Sequence, residues 1–427
     1  MSLRIIVGVN WGDEGKGRMV DYFARNADIV VRFQGGNNAG HTIENDLGTF
    51  KLHLIPSGIF YKNTVNLLGP GTVVNLEAAV KEMTDLEKRG IEFTPYNYKI
   101  SNRAMICFPF HNLQDEYEES RLGGEMFGST KQGIAPVYGD RYMKYGVQVG
   151  ALFYPEYLRQ EINRCLQLKN PIFEKVYNKP AVDPEETYRW AMKYGAILKP
   201  YVCDSITLLK DAQKSGKRVL LEGQLGALRD IIYGIYPYPT SSSTIAGFGA
   251  VGAGYFSQEV PVVTGVMKAF STCVGEGPFT TEIHGELANQ IRETSFEFGA
   301  LTGRPRRIGW FDAVASKYGT YVSGATEIAL TKLDSLSGLD TLKICTAYHI
   351  GSRILDDFPI TPELVQAESV YNEVPGWKED IREVREFVKL PHAARDYVER
   401  IEKLVERPIK YVSVGPNRGV MIVREKA

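Results

Sequence analysis

The sequence predicts an α/β fold that is P-loop-like, with a mostly parallel central sheet covered by helices and with a helical insertion. Three observations support this prediction. An apolar strand at 3–9 leads through a glycine-rich turn into an amphipathic helix. Several later strands are short and wholly apolar, which is typical of a parallel sheet buried on both faces. The stretch from about 95 to 200 is mostly helical in pattern and rich in aromatic residues.

The turn after the first strand is Gly12–Gly17, with the sequence GDEGKG. Its glycines allow the backbone to close on a phosphate, the next helix offers unpaired amide hydrogens, and Lys16 adds a positive charge. The turn departs from the Walker A pattern, because Asn10 stands for the first glycine and Gly17 for the Ser or Thr that holds magnesium. The acidic Asp13 in this loop indicates that the metal or a proton is handled differently here.

Four further strands run into polar turns at their carboxyl ends. The strand and turn pairs are 28–33 with 34–42, 218–221 with 222–224, 327–330 with 331–334, and 411–413 with 414–417. Open α/β sheets bind their ligands at this edge, so the turns are predicted to line the functional site. Apolar spacing predicts a covering helix over 75–88 and further helices over 375–407.

Length and composition favour one continuous unit. We expect a single domain over 1–427, with the helical insertion at approximately 95–200 inside it. The net charge of −1 argues against a broad nucleic-acid surface, and no apolar run reaches the ~20 residues that span a membrane. Five scattered cysteines without a CxxC pair are typical of reduced thiols in a cytoplasmic protein.

His41 lies in the second glycine-rich turn and is one of only six histidines. A histidine beside a phosphate loop can meet a leaving phosphate or act as a general acid, because its pKa lies near neutrality. The alternative is a loop histidine that is hydrogen-bonded to the backbone. The other histidines, His111 among them, lack such a setting and are interpreted as structural or exposed.

The turn at 331–334 reads TKLD, which fits the NKxD or TKxD pattern of guanine sites. The Asp334 carboxylate can accept hydrogen bonds from guanine N1–H and from the exocyclic amine, while the stem of Lys332 covers the ring. Strands also end in Lys and Asp for solubility alone, so that alternative stays open. The phosphate loop and the turn at 413–416 favour guanine.

Two other segments carry polar groups suited to anions. The run LTGRPRR at 301–307 offers arginine forks for carboxylates or phosphates, and the alternative is a solvated basic loop. The apolar stretches 296–298 and 308–311 flank it and predict packed anchors for a mobile binding loop. The segment YPYPTSSST at 236–244 can cradle another phosphate or cap a helix, and the motif alone leaves both open.

Together these segments resemble the adenylosuccinate synthetase family over nearly the whole chain. The shared motifs are WGDEGKG at 11–17, QGGxNAGHT at 34–42, HLIPSG at 53–58, YPY and TSS at 236–242, GPF and TE at 277–282, TGRPRR and GW at 302–310, TKLD at 331–334 and SVGP at 413–416. The resemblance implies a cytoplasmic, homodimeric ligase of purine (AMP) biosynthesis that uses GTP and Mg²⁺ to join IMP to L-aspartate. IMP is first phosphorylated on O6, and the aspartate amine then displaces that phosphate.

The resemblance also implies roles for matching residues. Asp13 would take the N1 proton of the purine and bind Mg²⁺ together with the Gly40 carbonyl. His41 would stabilise the departing β-phosphate, and Lys16 would neutralise the transferring phosphoryl group. The other implied roles are GTP binding by Gly12, Gly15, Lys16, Gly17, Gly40, Thr42, Lys332, Asp334, Ser413 and Gly415, IMP binding by Asn38, Thr130, Lys144, Gln224, Thr240 and Arg304, and aspartate binding by Thr302, Arg304 and Arg306.

The sequence departs from the family pattern mainly in the acceptor half. Leu225 replaces a glutamine that faces the purine, Lys144 the cross-subunit arginine, Leu301 a threonine of the aspartate loop, Cys273 the arginine of STRVG, and Ser243 the asparagine of TSSN. A leucine in place of an amide costs about 1–3 kcal/mol in lost hydrogen bonding. A paralogue with another purine or amine is therefore an alternative. A non-catalytic guanine-nucleotide-binding protein is disfavoured, because Asp13, Lys16 and His41 are all retained.

Overall fold

The structure, a computed structural model, describes residues 3–299, 303–417 and 419–424. Its strands are β1 (Leu3–Gly8), β2 (Ile29–Arg32), β3 (His41–Asn45), β4 (Gly48–Leu52), β5 (Val65–Leu68), β6 (Val73–Val74), β7 (Tyr98–Ser101), β8 (Met105–Ile106), β9 (Val202–Cys203), β10 (Val219–Gly226), β11 (Val262–Lys268), β12 (Ser271–Cys273), β13 (Glu282–Ile283), β14 (Arg307–Gly309), β15 (Phe311–Asp312), β16 (Glu327–Thr331), β17 (Thr341–Ile350), β18 (Arg353–Leu355), β19 (Glu368–Pro375), β20 (Ile409–Ser413) and β21 (Met421–Val423). Its α-helices are α1 (Lys16–Ala24), α2 (Leu76–Glu87), α3 (Pro109–Leu122), α4 (Ile134–Met143), α5 (Pro155–Lys175), α6 (Pro184–Leu198), α7 (Ser205–Lys214), α8 (Gly249–Ala253), α9 (Glu286–Thr294), α10 (Ala313–Val322), α11 (Thr361–Leu364) and α12 (His392–Val405).

A ten-stranded sheet forms the centre of the fold, in the order β21-β20-β16-β11-β1-β10-β2-β5-β7-β9. Its neighbouring strands are parallel except for β20 with β21. The α/β architecture with a mostly parallel sheet is therefore confirmed. β1 lies in the interior between β10 and β11, so the turn that follows it opens at the middle of the carboxyl edge.

Both faces of the sheet are buried, as the apolar strands predict. Ile5 and Val7 of β1 join one hydrophobic core, whereas Ile6 packs on the opposite face with Met19 and Val20 of α1. This packing fixes the start of α1 directly above the end of β1.

The helix predicted over 75–88 is α2, which begins after Asn75. The Asn75 side chain accepts a hydrogen bond from the Ala78 amide at 3.0 Å, as a helix cap does. The prediction of helices over 375–407 is wrong in its first half, since the helix there, α12, begins only at His392. Pro391 stops a helix from arriving from its N-terminal side. The Trp377 indole holds the preceding segment by donating to Ser337 Oγ at 3.0 Å.

Between β7 and β9 the chain leaves the sheet and forms α3, α4, α5 and α6. Helices α3, α5 and α6 pack in a second hydrophobic core, together with α2 and the β3–β4 hairpin. Helix α4 packs in a smaller cluster with Val73, Met105 and Cys107. The division into one domain with an insertion at 95–200 stays a prediction. Within the described ranges, no helix is long and apolar enough to cross a membrane.

Candidate active site

The loop between β1 and α1 closes around a buried carboxylate. Glu14 Oε1 accepts hydrogen bonds from the amides of Asn10 at 3.1 Å and Gly12 at 2.8 Å. Lys16 Nζ lies 2.5 Å from Glu14 Oε2, and both side chains are 2% exposed. The lysine charge is therefore balanced within the loop, and an incoming phosphate has to compete with Glu14 for it. The motifs of the sequence do not single out Glu14.

His41 lies at the start of β3, and its imidazole is held by a carboxylate of β10. Its Nδ1 lies 2.7 Å from Glu222 Oε1, and Glu222 also accepts from the Ser57 amide at 2.8 Å and from the Ser57 hydroxyl at 2.6 Å. Because a carboxylate only accepts, Nδ1 carries the hydrogen. Burial lowers the pKa of His41, against the opposing effect of Glu222. The alternative of a histidine bonded to the backbone is wrong for this nitrogen.

The other nitrogen of His41 is available for a ligand. Its Nε2 is buried and has no hydrogen-bond partner among the residues that the structure describes. Buried polar atoms are nearly always paired in folded proteins, so this atom is suited to a group that binds in the cleft.

Helix α1 packs directly against this histidine at Gly17. A Cβ atom on Gly17 would lie 2.7 Å from the Cβ of His41, a separation that real Cβ contacts do not reach. No side chain fits there, which explains why the Ser or Thr of Walker A is missing. The loop at 12–17 and His41 thus lie side by side.

Two residues predicted to bind IMP are hydrogen-bonded to each other. Gln224 Nε2 donates to Asn38 Oδ1 at 2.9 Å. The fully buried Arg32 donates to Gln224 Oε1, and Gln34 Nε2 donates to the Gln224 carbonyl at 2.7 Å. The Gln224 amide therefore orients the Asn38 side chain with one of its two Nε2 hydrogens, which leaves the second for a ligand. Arg32, which sets its orientation, was not identified from the motifs.

Leu225, the departure from the family glutamine, lies against the phosphate loop. Its backbone adopts the left-handed conformation with a φ of 58°. A Cβ atom on Gly12 would lie 3.3 Å from Leu225 Cδ2. An apolar side chain therefore lies beside the loop that carries Asp13.

Asp13 contacts Arg306, which belongs to the arginine-rich LTGRPRR run. Its Oδ2 lies 3.1 Å from Arg306 Nε, so the predicted base contacts a predicted aspartate-binding residue. Arg306 also pairs with the fully buried Glu297, and Lys268 Nζ lies 2.7 Å from the same carboxylate. Burial alone would raise the pKa of Glu297, but attraction to Lys268, Arg306 and Lys332 outweighs it and lowers the pKa to about 2. Burial lowers the pKa of Lys268 to about 8.

The predicted apolar anchor at 296–298 is wrong. Phe296 is 81% exposed and Phe298 is 42% exposed, whereas Glu297 between them is buried. An ion pair therefore anchors this side of the arginine segment. The anchor at 308–311 is confirmed, because Ile308 and Phe311 are buried.

The turn after β16 presents a buried acceptor. Asp334 Oδ1 has no hydrogen-bond partner within the described ranges, and burial raises the pKa of Asp334. Lys332 Nζ donates to the Ser295 carbonyl at 2.6 Å and lies 3.9 Å from Glu297 Oε1. The acceptor is suited to a guanine N1–H or amine, and the lysine links this turn to the Glu297 cluster.

Helix α1 also reaches the turn after β20. Arg18 donates to Ser413 Oγ and to the Asn417 carbonyl, the latter at 2.6 Å. Ser413 Oγ donates in turn to the Gly415 carbonyl at 3.1 Å. Arg18, which joins the phosphate helix to the predicted guanine turn, was missed because it follows the motif by one position.

The remaining predicted residues that the structure describes are half-buried or exposed. Gln132 Oε1 accepts from Asn37 Nδ2 at 2.6 Å, which brings the loop of Thr130 against the glycine-rich turn. The amide of the half-buried Thr240 donates to the Arg229 carbonyl at 2.9 Å. Half-buried Gly40 precedes β3, while Thr42 in β3, Arg304 and Lys144 at the end of α4 are exposed. Thr302 and Leu301 lie outside the described residues.

Known proteins of one family are similar to this chain over nearly its whole length. A sequence model of the family described as adenylosuccinate synthetase matches residues 5–422. The adenylosuccinate synthetase of Caldanaerobacter subterraneus subsp. tengcongensis is 46% identical over 424 residues, and that of Thermoanaerobacter sp. is 47% identical over 424 residues, with 99% of each chain covered in both cases. The structure of fully ligated adenylosuccinate synthetase from Plasmodium falciparum superimposes with a TM-score of 0.93 at 34% identity, covering 100% of both chains.

Proposed function

Because the chain belongs to the adenylosuccinate synthetase family, and is therefore a GTP-dependent ligase that joins IMP to L-aspartate, we propose that the cleft at the ends of β1, β2 and β10 catalyses both steps of that reaction. The observation that supports this most is the packing of Gly17 against His41. It places the phosphate loop next to an imidazole whose Nε2 has no partner in the described part of the chain. Asp13, in the same loop, adds a base.

In the first step, Asp13 takes the proton from N1 of IMP, and O6 attacks the γ-phosphorus of GTP. The O6–P bond forms while the bond from phosphorus to the β-phosphate oxygen breaks. Lys16 exchanges Glu14 for the phosphoryl oxygens and neutralises their charge. His41 donates from Nε2 to the departing β-phosphate when its ring is charged. Burial disfavours that form, whereas Glu222 on Nδ1 and the negative charge of the bound phosphates favour it. Phosphoryl transfer depends mainly on such positioning and electrostatic stabilisation.

The base becomes available when Arg306 leaves Asp13. The carboxylates of the incoming aspartate offer Arg306 a replacement anion, which a guanidinium binds through two parallel hydrogen bonds. Thr302 and Arg304 are proposed to complete this binding loop. In the second step the aspartate amine attacks C6, the C–N bond forms, and the C6–O bond to the phosphate breaks. The departing phosphate takes up the proton that the amine loses.

Magnesium is proposed to bind at the Asp13 carboxylate and the Gly40 carbonyl. Since no side chain fits at Gly17, the loop has no hydroxyl ligand at that position, and Asp13 supplies an oxygen instead. The Asp13 side chain is 25% exposed, and Mg²⁺ is commonly bound by one or two carboxylates together with substrate phosphates and water. When bound, the ion neutralises phosphate charge.

The nucleotide sites follow from the same edge of the sheet. For GTP, we propose that Gly12, Gly15, Lys16, Gly17, Gly40 and Thr42 hold the phosphates and that Lys332, Asp334, Ser413 and Gly415 hold the guanine. The buried Asp334 Oδ1 supports the guanine assignment. For IMP, we propose that Asn38, Thr130 and Thr240 bind the phosphate. Gln224 and Arg304, together with Lys144 from a second subunit, complete the IMP site.

A homodimer is proposed through the α4–α5 region. Large exposed side chains cluster there in the sequence, namely Tyr142, Met143, Phe153, Tyr154 and Tyr157. Lys144 and the last three of these line one surface cavity of 680 Å³. Exposed apolar surface of this kind favours a partner, and a second copy would also receive Lys144 at its IMP site. We also propose a cytoplasmic location, which the five free cysteines support.

A substrate panel tests the proposal. Purified protein with GTP, Mg²⁺, IMP and aspartate should give the ultraviolet change of adenylosuccinate formation, with the product confirmed by mass spectrometry. Because Leu225 lies where the family has a purine-facing glutamine, the panel should include other purine nucleotides and amines. Turnover only with another acceptor would favour the paralogue, and no turnover with any acceptor would refute the proposed chemistry.

A further inference from the structure

Arg229 lies just beyond β10, and its side chain spans two loops. Arg229 Nη1 donates to the Tyr238 carbonyl at 2.6 Å and to the Glu276 carbonyl at 3.2 Å. Its Nη2 donates to Cys273 Sγ at 3.0 Å and to the Val274 carbonyl at 2.8 Å. The side chain therefore ties the 236–240 turn to the 273–277 loop.

A third loop, which carries Phe127 and Gly128, packs against the same two segments. A Cβ atom on Gly128 would lie 3.3 Å from Gly275 Cα, and the ring centroids of Phe127 and Tyr238 are 6.5 Å apart, edge to face. The loop of Thr130 thus contacts both segments that Arg229 joins. Two of the three loops carry a threonine that is proposed to bind the IMP phosphate, and the Arg229 carbonyl accepts from the Thr240 amide.

The Arg229 guanidinium is buried, with only 7% of the residue exposed. Its hydrogen-bond acceptors among the described residues are carbonyl oxygens and one sulfur, and none is a carboxylate. Its positive charge is therefore not cancelled by a hydrogen-bonded anion. Buried charges are costly without one, so a bound phosphate near these loops gains from this cation.

Arg229 contacts a residue, Cys273, at which this chain departs from the family motif. Cys273 stands where the family motif STRVG has an arginine. The Arg229 guanidinium lies against the small Cys273 side chain, so a cation is present beside this position although the sequence has lost it there. A second arginine at 273 would have to share the same buried carbonyl oxygens.

We propose that Arg229 is a positioning residue for IMP, and that it supplies from the end of β10 the guanidinium that the family motif places at position 273. It holds the three loops in fixed positions relative to one another, so that Thr130 and Thr240 bind one phosphate. This inference rests on the proposed IMP site.

The test is a double-mutant cycle with wild type, Arg229→Leu, Cys273→Arg and the double variant. Arg229→Leu should raise the KM for IMP about tenfold or more, because several hydrogen bonds to a charged group are lost, and should change the KM for GTP less than about twofold. Cys273→Arg alone should lower the thermal midpoint, since two guanidinium groups compete for one site. The double variant should return the KM for IMP to within about threefold of wild type.

Calorimetric titration of IMP into each variant separates binding from turnover, and Arg229→Lys should be intermediate because it keeps the charge without the fork. Additive defects in the double variant, or an unchanged KM for IMP in Arg229→Leu, would overturn the proposal. If Arg229→Leu does not fold, the double variant decides alone: normal IMP affinity supports relocation of the guanidinium, and failure to fold or bind refutes it. Adenylosuccinate formation by the wild type tests the proposed function separately.

Discussion

Replacing the buried carboxylate of Glu297 is the substitution that tests the charge balance of this site most severely. It pairs with Lys268 at 2.7 Å and with Arg306, and it lies 3.9 Å from Lys332. The change Glu297→Gln keeps the shape and one acceptor oxygen but removes the charge that these three cations share. We expect it to destabilise the fold and to loosen Arg306 from its position beside Asp13.

The size of the effect follows from the pKa of Glu297, which is lowered from 4.5 to about 2 in the folded protein. A lowered carboxylate pKa corresponds to about 3 kcal/mol of folding free energy at neutral pH. This agrees with the ~3–5 kcal/mol lost when one member of a buried ion pair is removed. The stabilisation is complete above the unfolded pKa and is lost as the pH falls toward the folded pKa. The difference between wild type and variant should therefore shrink by about 1 kcal/mol between pH 7 and pH 4.

Urea denaturation at both pH values measures this difference. Glu293→Gln is the matched control, because it removes the same charge from an exposed position four residues away. The KM for aspartate should also rise in Glu297→Gln, while the control leaves it unchanged. Equal stability of the two variants, or a stability difference that does not change with pH, would refute the reasoning.

Three further predictions concern the reacting groups. Asp13→Asn should abolish ligation while calorimetry still detects GTP binding, and retained turnover would remove Asp13 from the mechanism. Gly17→Ala should lower kcat about 100-fold, because the new Cβ would lie 2.7 Å from the Cβ of His41. The matched helix variant Gly139→Ala should keep the wild-type kcat, because its new Cβ has no atom within 4 Å. Equal kcat values for the two variants would contradict the packing argument. Asp334→Asn should raise the KM for GTP about 10- to 100-fold and lower the KM for XTP, because the 2-oxo group of XTP accepts a hydrogen bond from the new amide. An unchanged ratio of the two KM values would exclude Asp334 from base recognition.

Sequence reasoning succeeded where one continuous segment carries the signal. The phosphate turn at 12–17 and the turn at 331–334 each combine a strand end, a special backbone conformation and a charged side chain within a few residues. The strands that lead into them are apolar, so their burial was also predictable. These features were enough to predict the mostly parallel sheet, whereas the ligand-binding edge and the residues proposed to line it stay predictions.

Sequence reasoning failed where a partner comes from a distant part of the chain. His41 is oriented by Glu222, 181 residues away, and no local pattern links the two. The stretch 296–298 was predicted to be an apolar anchor because two phenylalanines flank one glutamate. The structure buries the glutamate instead, since Lys268 and Arg306 neutralise it. Charge pairing across the fold thus overrides local hydrophobicity, and a single sequence does not reveal it.

The central claim is that the cleft makes the purine oxygen leave as part of phosphate, and oxygen labelling tests it most directly. The enzyme is supplied with GTP, Mg²⁺, aspartate and IMP that carries ¹⁸O at position 6, and the inorganic phosphate is analysed by mass spectrometry. The account predicts one ¹⁸O atom in each phosphate released with adenylosuccinate. Unlabelled phosphate, with the label lost to water, would contradict it.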